Sequence, residues 1–288
     1  MGVLPGRLAA VARSRQGTGG GWPADLGDLV LPRVCAGCAR PGTVLCPGCC
    51  ALLTELHVAA PRRHRPGFPP TVAAGRYAGP VQPAVVAFKE RGRAELARPL
   101  GAALALAVAA VLSGLPDGGP LDHGGPVLLV PVPSSAAAVR RRGRDHVREL
   151  AGQAAQELRQ AGVPARVTPL LRRRRGTRDS AGLDAEQRRA NLAGRFRLRR
   201  PRRGWPAAAR LVLVDDVVTS GATLTEAARA LAQGQDTRDD PVPVLAAVVA
   251  ATPRRRAVGD TLQVAAVPGE RGTVSFAVRR ARGRDGAR

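Results

Sequence analysis

The chain has 288 residues, of which 44% are hydrophobic and only 2% aromatic, so it can bury a sizeable core built from Ala, Val and Leu. Its 45 basic residues outnumber 22 acidic ones, and the resulting net charge of +23 favours partners that carry phosphate. The scarcity of aromatic side chains disfavours single-strand binding by base stacking. Because Lys89 is the only lysine, part of the arginine excess reflects a general bias toward Arg, Ala, Gly and Pro.

The first motif along the chain is a cluster of cysteines. Cys35 and Cys38 form one CxxC pair, Cys46 and Cys49 form a second, and Cys50 adjoins it. Two such pairs joined by a short turn are typical of a tetrahedral zinc site with four thiolate ligands. Since four protein ligands leave no open position, the predicted Zn²⁺ would be structural.

Other interpretations of this segment stay open. A redox-active or adventitious thiol cluster is the alternative, although a metal site is favoured in a cytoplasmic chain. Cys50 is expected to be a spare buried thiol or a substitute ligand. Gly37 and Gly48 are expected to relieve crowding around the metal, and His57 and His64 to lie at the surface.

The rest of the chain alternates between helix and strand patterns after a Pro/Arg-rich stretch. Helices are predicted at 85–90, 94–112, 144–160, 185–192 and 223–231, and strands at 127–132, 163–171, 194–198, 211–214 and 243–251. This alternation predicts an α/β fold with a mainly parallel sheet and helices on both faces. The longest apolar stretch, 100–112, is shorter than the roughly 20 residues that span a bilayer. With no signal peptide recognised, a soluble, cytoplasmic protein is expected.

The most informative run covers residues 211–224. Its four apolar residues, Leu-Val-Leu-Val, predict a buried parallel strand, and the Ala/Leu-rich segment beyond predicts a helix. The turn between them would lie at a helix N-terminus, where unpaired N–H groups and the helix dipole attract a phosphate. The turn residues are Thr219, Ser220, Gly221, Ala222 and Thr223. Its glycine lets the backbone approach a ligand closely, and its hydroxyls can donate as well.

Two adjacent carboxylates, Asp215 and Asp216, precede this turn. Carboxylates only accept hydrogen bonds, so a vicinal diol such as ribose O2′ and O3′ offers each of them a hydroxyl. The run therefore predicts a sugar phosphate site. The alternative is a strand followed by a capped helix without a ligand, although capping alone requires only one Asp or Ser.

These residues resemble the signature loop of the type I phosphoribosyltransferases, which bind 5-phosphoribosyl 1-pyrophosphate (PRPP). The resemblance implies that Asp215 and Asp216 hold the ribose hydroxyls and that residues 219–223 hold the 5′-phosphate. It also implies Mg²⁺ as the partner of the pyrophosphate. In catalysis the two acids would orient the ribose ring and favour its cationic character while pyrophosphate departs.

Further segments are similar to the ComF family, which has this fold behind an N-terminal zinc ribbon. Besides the cysteine pairs they are 88–93, 130–134, 141–146 and 177–196, so the likeness covers most of residues 22–251. It implies a zinc ribbon at 22–60, a linker at 61–70, a phosphoribosyltransferase-like domain at 71–255 and a basic tail at 256–288. It also implies that PRPP is contacted by Lys89, Arg91, Pro133, Ser134 and Arg142.

The chain departs from the family pattern where an acceptor base would be recognised. The usual Arg-Gly-Phe-Asn-Gln appears here as residues 142–146, with Arg144, Asp145 and His146 at its last three positions, and Ser180 replaces a glutamine. Arg142 and Arg144 are expected at the start of a helix, and His146 on a helix face. The PRPP half of the site is therefore better supported than the acceptor half.

Three functions are compatible with these patterns. The first is a phosphoribosyltransferase that moves ribose 5-phosphate from Mg²⁺–PRPP to an acceptor base. The second is a non-catalytic protein associated with competence and DNA uptake, which would bind single-stranded DNA or the competence machinery. The third is a regulator that senses PRPP or a ribose 5-phosphate nucleotide without turnover.

Overall fold

The computed structural model describes residues 33–60, 66–114, 125–174, 194–199, 209–233 and 242–253, together with the backbone of 262–268 and 274–280. The predicted helix at 185–192, His64 and Ser180 lie outside the described residues. So do residues 22–32 of the predicted ribbon and 61–65 of the predicted linker.

Six strands form the main sheet within the described residues. In spatial order they are β1 (His57–Val58), β2 (Thr71–Arg76), β8 (Val244–Ala251), β7 (Arg210–Val218), β3 (Val127–Pro131) and β4 (Ala165–Val167). Every neighbouring pair is parallel except β1 and β2. The predicted α/β class with a mainly parallel sheet is confirmed.

Helices cover both faces of this sheet. They are α1 (Pro47–Ala51), α2 (Val81–Glu90), α3 (Ala97–Ser113), α4 (Ala136–Arg142), α5 (His146–Gln160) and α6 (Ala222–Ala232), with a 3-10 turn at Ala94–Leu96. One core lies between the sheet and α2, α3 and α5. A second lies between the sheet, α6 and an antiparallel pair formed by β5 (Leu171–Arg173) and β6 (Phe196–Leu198).

Helix α3 is apolar around its whole circumference because it is enclosed by the first core. Together with the preceding turn it is long and apolar enough to cross a membrane, but 78% of its apolar window is buried inside the protein. Gly101 permits close packing against α5, since a Cβ there would lie 2.3 Å from the Cβ of Gln153. The expectation of a buried helix is confirmed.

The prediction of one strand over 163–171 is wrong. Strand β4 ends at Val167, and β5 begins only at Leu171 in a separate sheet. Pro169 lies between them and has no N–H to donate to a ladder, which explains the interruption. The predicted tail also contains more structure than expected, since β9 (Leu262–Pro268) and β10 (Val274–Arg280) pair antiparallel within it.

Strand β7 continues further than the sequence predicted. It runs from Arg210 through Asp215 and Asp216 to Val218, because β8 pairs with it along nearly this whole length. The two acids that precede the turn are therefore strand residues.

Candidate functional site

The two CxxC pairs come together in what we call the cysteine module, residues 33–56. The sulfurs of Cys35, Cys38, Cys46 and Cys49 all lie within 4.8 Å of one another. Zn–S bonds of about 2.3 Å imply sulfurs roughly 3.8 Å apart in a tetrahedron, so the four thiols fit a zinc ion. Cys50 stays outside this group and donates its thiol to the Leu45 carbonyl. Among the described residues no other set of three or more His, Cys, Asp or Glu side chains could hold a metal.

The thiols of this module differ in their tendency to ionise. Although burial opposes ionisation, nearby backbone N–H groups, including that of Cys46 at 3.3 Å, lower the pKa of Cys35 to about 6. Burial and the neighbouring thiols raise the pKa of Cys49, and burial raises the pKa of Cys50 to about 11. Metal binding must therefore displace a proton from Cys49, so metal affinity should fall at lower pH.

The cysteine module packs closely against the start of helix α2 and forms a hydrogen bond beyond its end. A Cβ added to Gly37 would lie 2.8 Å from both the Cys49 sulfur and the carbonyl oxygen of Pro80, which directly precedes α2. Beyond the other end of α2, Arg93 donates to the Val34 carbonyl at 2.9 Å. Gly37 therefore relieves crowding as predicted, whereas a Cβ on Gly48 would meet nothing within 4 Å, so that expectation is wrong.

His57 is also placed differently from its prediction. It is buried in β1 rather than exposed, because β1 pairs with β2 and so joins the edge of the main sheet. The cysteine module also approaches β2 closely at Gly75, where a Cβ would lie 2.7 Å from the Leu52 carbonyl oxygen.

The predicted phosphate turn links β7 to α6. Gly221 has a φ of +73° and precedes the first helical residue, Ala222, a backbone conformation that favours glycine. Without a side chain, Gly221 cannot accept the N–H groups that open the helix, as a Ser or Asp would. Thr219 and Ser220 are exposed, and Thr223 is partly exposed, so their hydroxyls can reach a ligand.

The segment after β3 lies beside the end of β7. Pro131 is in register with Val214, and the N–H of Val132 donates to the Val214 carbonyl at 3.0 Å. Pro133 and Ser134 therefore follow at the same edge of the sheet as the acidic pair. Ligands of parallel α/β sheets bind at this carboxyl edge.

Asp216 is the centre of a buried charge cluster. It is 3% exposed, and its Oδ2 lies 2.6 Å from Lys89 Nζ and 3.2 Å from His146 Nε2. Its Oδ1 accepts the N–H of Val217 at 2.8 Å. Although burial raises the pKa of Asp216, the hydrogen bond from His146 and the charge of Lys89 outweigh it and lower that pKa. Asp216 in turn raises the pKa of Lys89 against the effect of burial.

A line of polar contacts extends from His146 to the surface. Its Nδ1 lies 3.5 Å from Nη1 of Arg142, and a guanidinium can only donate. Nδ1 is therefore the acceptor, and a neutral imidazole donates its Nε2–H to Asp216. Arg142 pairs through two nitrogens with Glu90, its Nε lying 3.0 Å from Oε2, and Arg141 reaches the same carboxylate at 3.3 Å.

These positions correct the prediction for Arg142, which lies at the C-terminal end of α4 rather than at a helix start. A cation is favourable there against the helix dipole. His146 is the first residue of α5 and lies on the buried face of that helix. Asp145 caps that helix by accepting the N–H of Arg148 at 3.3 Å. The guanidinium of Arg144 stacks over the Phe88 ring at 4.2 Å, which fixes the start of α5 against α2.

Asp215 has a different environment from its neighbour. It is partly exposed, and its Oδ1 accepts the N–H of Asp216 at 2.9 Å. Burial and the adjacent Asp216 charge raise the pKa of Asp215 well above the ordinary aspartate range.

Of the other predicted contacts, Lys89 reaches the acidic pair and Arg91 does not. Arg91 is exposed just beyond the end of α2. Sequence reasoning missed the roles of Glu90 and His146. His146 is 70 positions from Asp216, and no local pattern marks that contact.

Comparison with known proteins yields one set of relatives. The chain is 31% identical over 215 residues to proteins called DNA utilization protein YhgH from Escherichia coli (strain K12), Escherichia coli O6:H1 and Shigella flexneri. Each aligned region covers 73% of this chain and 87% of the relative. No family model and no solved structure matches the chain. At this identity and coverage, the chain belongs to the family of the DNA utilization protein YhgH.

Proposed function

We propose that the protein acts in DNA utilization as a non-catalytic member of the ComF group, binding a phosphorylated ribose at residues 219–223. The ligand class is PRPP or a ribose 5-phosphate nucleotide. The observation that supports this most strongly is the turn itself: Gly221 opens α6 in a left-handed conformation and, as the N-cap, offers no side chain to the helix N–H groups. Among the described side chains, only that of Ser220 reaches an N–H of this turn, through a 3.4 Å hydrogen bond from Ala222 to its Oγ. Asp215 lies near the end of β7, just before this turn, and its carboxylate can accept a ribose hydroxyl.

The contacts of Asp216 favour ligand binding without turnover over phosphoribosyl transfer. Asp216 already accepts from Lys89, His146 and Val217. Both of its oxygens are therefore engaged by the protein, and a reacting ribose would compete with these contacts. Phosphoribosyl transfer from Mg²⁺–PRPP is the second candidate, supported by the predicted sugar phosphate motif.

Exposed cations near this edge support a polyanionic partner such as single-stranded DNA. Arg140 and Arg141 are exposed on α4, Arg91 is exposed beyond α2, and Arg148 is exposed on α5. Such cations contribute to affinity by releasing counterions from a phosphate backbone. The name of the relatives supports a partner of this kind. The competence machinery is a further proposed partner, and the zinc ion would hold the cysteine module together.

Isothermal titration of the full chain with PRPP and with ribose 5-phosphate, each with and without Mg²⁺, tests the ligand class. Replacing Thr219 and Thr223 by Val should weaken binding about 10-fold or more for each charge-assisted hydrogen bond lost. Thr54→Val, an exposed threonine of the cysteine module, is the matched control. Absence of binding by the wild type would overturn the proposal.

Two assays separate the candidate functions. Release of pyrophosphate from PRPP with any of a panel of bases would establish transfer and refute the non-catalytic proposal. Fluorescence anisotropy with labelled single-stranded DNA should show an affinity that falls steeply as salt rises. Salt-independent binding, or none, would remove DNA from the proposed partners.

A further inference from the structure

We propose that single-stranded DNA binds along the antiparallel pair of β5 and β6, through four arginines that we call the arginine ribbon. They are Arg172, Arg174, Arg197 and Arg199. This inference rests on the proposed function, because it names the surface at which the proposed DNA partner binds.

The pairing of the two strands places these four side chains on one face. Arg172 is directly opposite Arg197. The ladder continues beyond both strands, with backbone hydrogen bonds donated by Arg174 at 2.9 Å and by Arg199 at 2.6 Å. Because side chains alternate with a two-residue period, positions 172 and 174 share a face with 197 and 199. All four residues are exposed.

The other face of the strand pair is attached to the protein. Leu171 and Phe196 are buried in the core that includes α6, and Leu198 packs against that core. Just before β6, the N–H of Gly194 donates to the carboxylate of Glu226 in α6 at 2.5 Å. The arginine ribbon is therefore the outer surface of a strand pair that is held by its apolar face.

The charge of the arginine ribbon is not balanced by described acids. In other parts of the chain, Arg93, Arg142 and Arg229 each pair with a glutamate. No described carboxylate forms a salt bridge with the ribbon, and Glu226 is already paired with Arg229 at 2.7 Å. Like charges at directly opposite positions destabilise a sheet. A general bias toward arginine explains the residue type but not the lack of neighbouring acids, whereas a bound polyanion explains both.

A phosphate backbone matches the dimensions of this surface. Residues two apart on a strand lie about 6.7 Å apart, and opposite residues lie about 5 Å apart, so the ribbon can contact more than one phosphate. Guanidinium groups bind phosphate oxygens through paired hydrogen bonds. With only 2% aromatic residues in the chain, base stacking contributes little.

The packing of the strand pair favours a single strand over a duplex. A two-stranded ribbon reads duplex DNA by entering the major groove, which requires that it protrude from the protein. Here one face of the pair packs against the core that includes α6, so it cannot enter a groove. A single strand can instead follow the outer surface.

The test is fluorescence anisotropy of labelled oligo(dT) with the full chain. The ribbon variant is R172Q/R197Q, and the control is R98Q/R166Q, which removes the same charge from exposed positions outside the ribbon. The ribbon variant should lose about 10-fold or more in affinity, and its slope of log affinity against log salt should shrink by about 0.7 for each phosphate contact removed. Equal losses in the two variants would overturn the inference.

Arg197→Glu separates DNA binding from folding. It places an acid opposite Arg172, and opposite charges at facing positions stabilise a sheet. The variant should therefore unfold at the wild-type temperature or above it, yet bind DNA more weakly than Arg197→Gln. Wild-type affinity for DNA in Arg197→Glu would overturn the inference.

Three comparisons exclude other assignments of the arginine ribbon. An equal loss of ribose 5-phosphate affinity in R172Q/R197Q would assign the ribbon to the sugar phosphate site. A larger loss of DNA affinity in R140Q/R148Q would place the DNA on α4 and α5, and equal competition by a duplex would refute the choice of a single strand. Each of these results would overturn the inference. Wild-type protein that binds no single-stranded DNA would instead refute the DNA partner of the proposed function itself, which distinguishes the two failures.

Discussion

The cysteine module and the acidic end of β7 both gather ionisable groups, but each is completed by different means. The four thiols come from one short segment and fit a single metal ion. The Asp216 cluster draws on α2, α5 and β7, and its charge is balanced by Lys89, whose ammonium lies 2.6 Å away. A site built from local ligands therefore depends on an added ion, whereas a site built by tertiary contacts can balance its own charge.

The largest expected effect comes from breaking the metal site. Cys46→Ser should lose bound zinc and destabilise the cysteine module by about 5 kcal/mol or more, because structural zinc contributes on the order of 10 kcal/mol to small zinc domains. Zinc content by mass spectrometry and thermal unfolding measure the effect. Cys50→Ser is the control, since Cys50 lies outside the cluster; an equal zinc loss in both variants would contradict the assignment.

The next largest effect should come from Lys89→Met, which leaves the buried Asp216 without its cation. Breaking a buried pair costs about 3–5 kcal/mol, and the partial exposure of Lys89 reduces this to about 2 kcal/mol. Urea denaturation measures the loss, with Arg91→Met at the exposed neighbouring position as the control. Equal stability of the two variants would show that the ion pair contributes nothing.

Gly37→Ala should destabilise the junction between the cysteine module and α2 by about 1–3 kcal/mol, because its Cβ would overlap a sulfur and a carbonyl oxygen. Gly48→Ala has open space and lies within α1, so it should be neutral or slightly stabilising. Thermal unfolding of the pair distinguishes them. A destabilised Gly48→Ala variant would refute this description of the junction.

The smallest effect is expected at the outer end of the polar contacts that extend from His146 to Glu90. Arg142→Ala removes a pair with the partly exposed Glu90 and should cost about 0.5–1 kcal/mol. Arg140→Ala, an exposed position on the same helix, is the control in urea denaturation at low and high salt. A loss for Arg142→Ala that does not shrink at high salt would argue against an electrostatic origin.

Local patterns predicted much of the fold. The apolar run before Asp215 predicted a central strand, and the Ala/Leu-rich segments predicted α3, α5 and α6, because burial imposes these periodicities on neighbouring residues. The cysteine spacing predicted a metal site because all its ligands lie in one segment. The strand over 163–171 failed because Pro169 outweighs the apolar pattern around it.

The charge cluster could not be predicted in the same way. Lys89, His146 and Asp216 belong to three different elements, and only the packing of α2 and α5 on the sheet brings them together. Hydrophobic periodicity predicts which face of an element is buried, but it carries no information on which polar groups meet across that face.

The two carboxylates also differ in how they affect stability with pH. The pKa of Asp215 is raised by burial and by its neighbour, so Asp215 disfavours folding at neutral pH, and this cost is relieved as pH falls through its raised pKa. The pKa of Asp216 is lowered by His146 and Lys89 despite burial. Its stabilisation is present above the ordinary aspartate pKa and is lost as pH falls below it.

Urea unfolding of Asp215→Asn and Asp216→Asn at pH 7 measures how the environment of each carboxylate contributes to stability. We expect changes of opposite sign in the free energy of unfolding, with Asp215→Asn more stable than wild type and Asp216→Asn less stable. Changes of the same sign in both variants would contradict the opposite shifts in the pKa values of the two carboxylates.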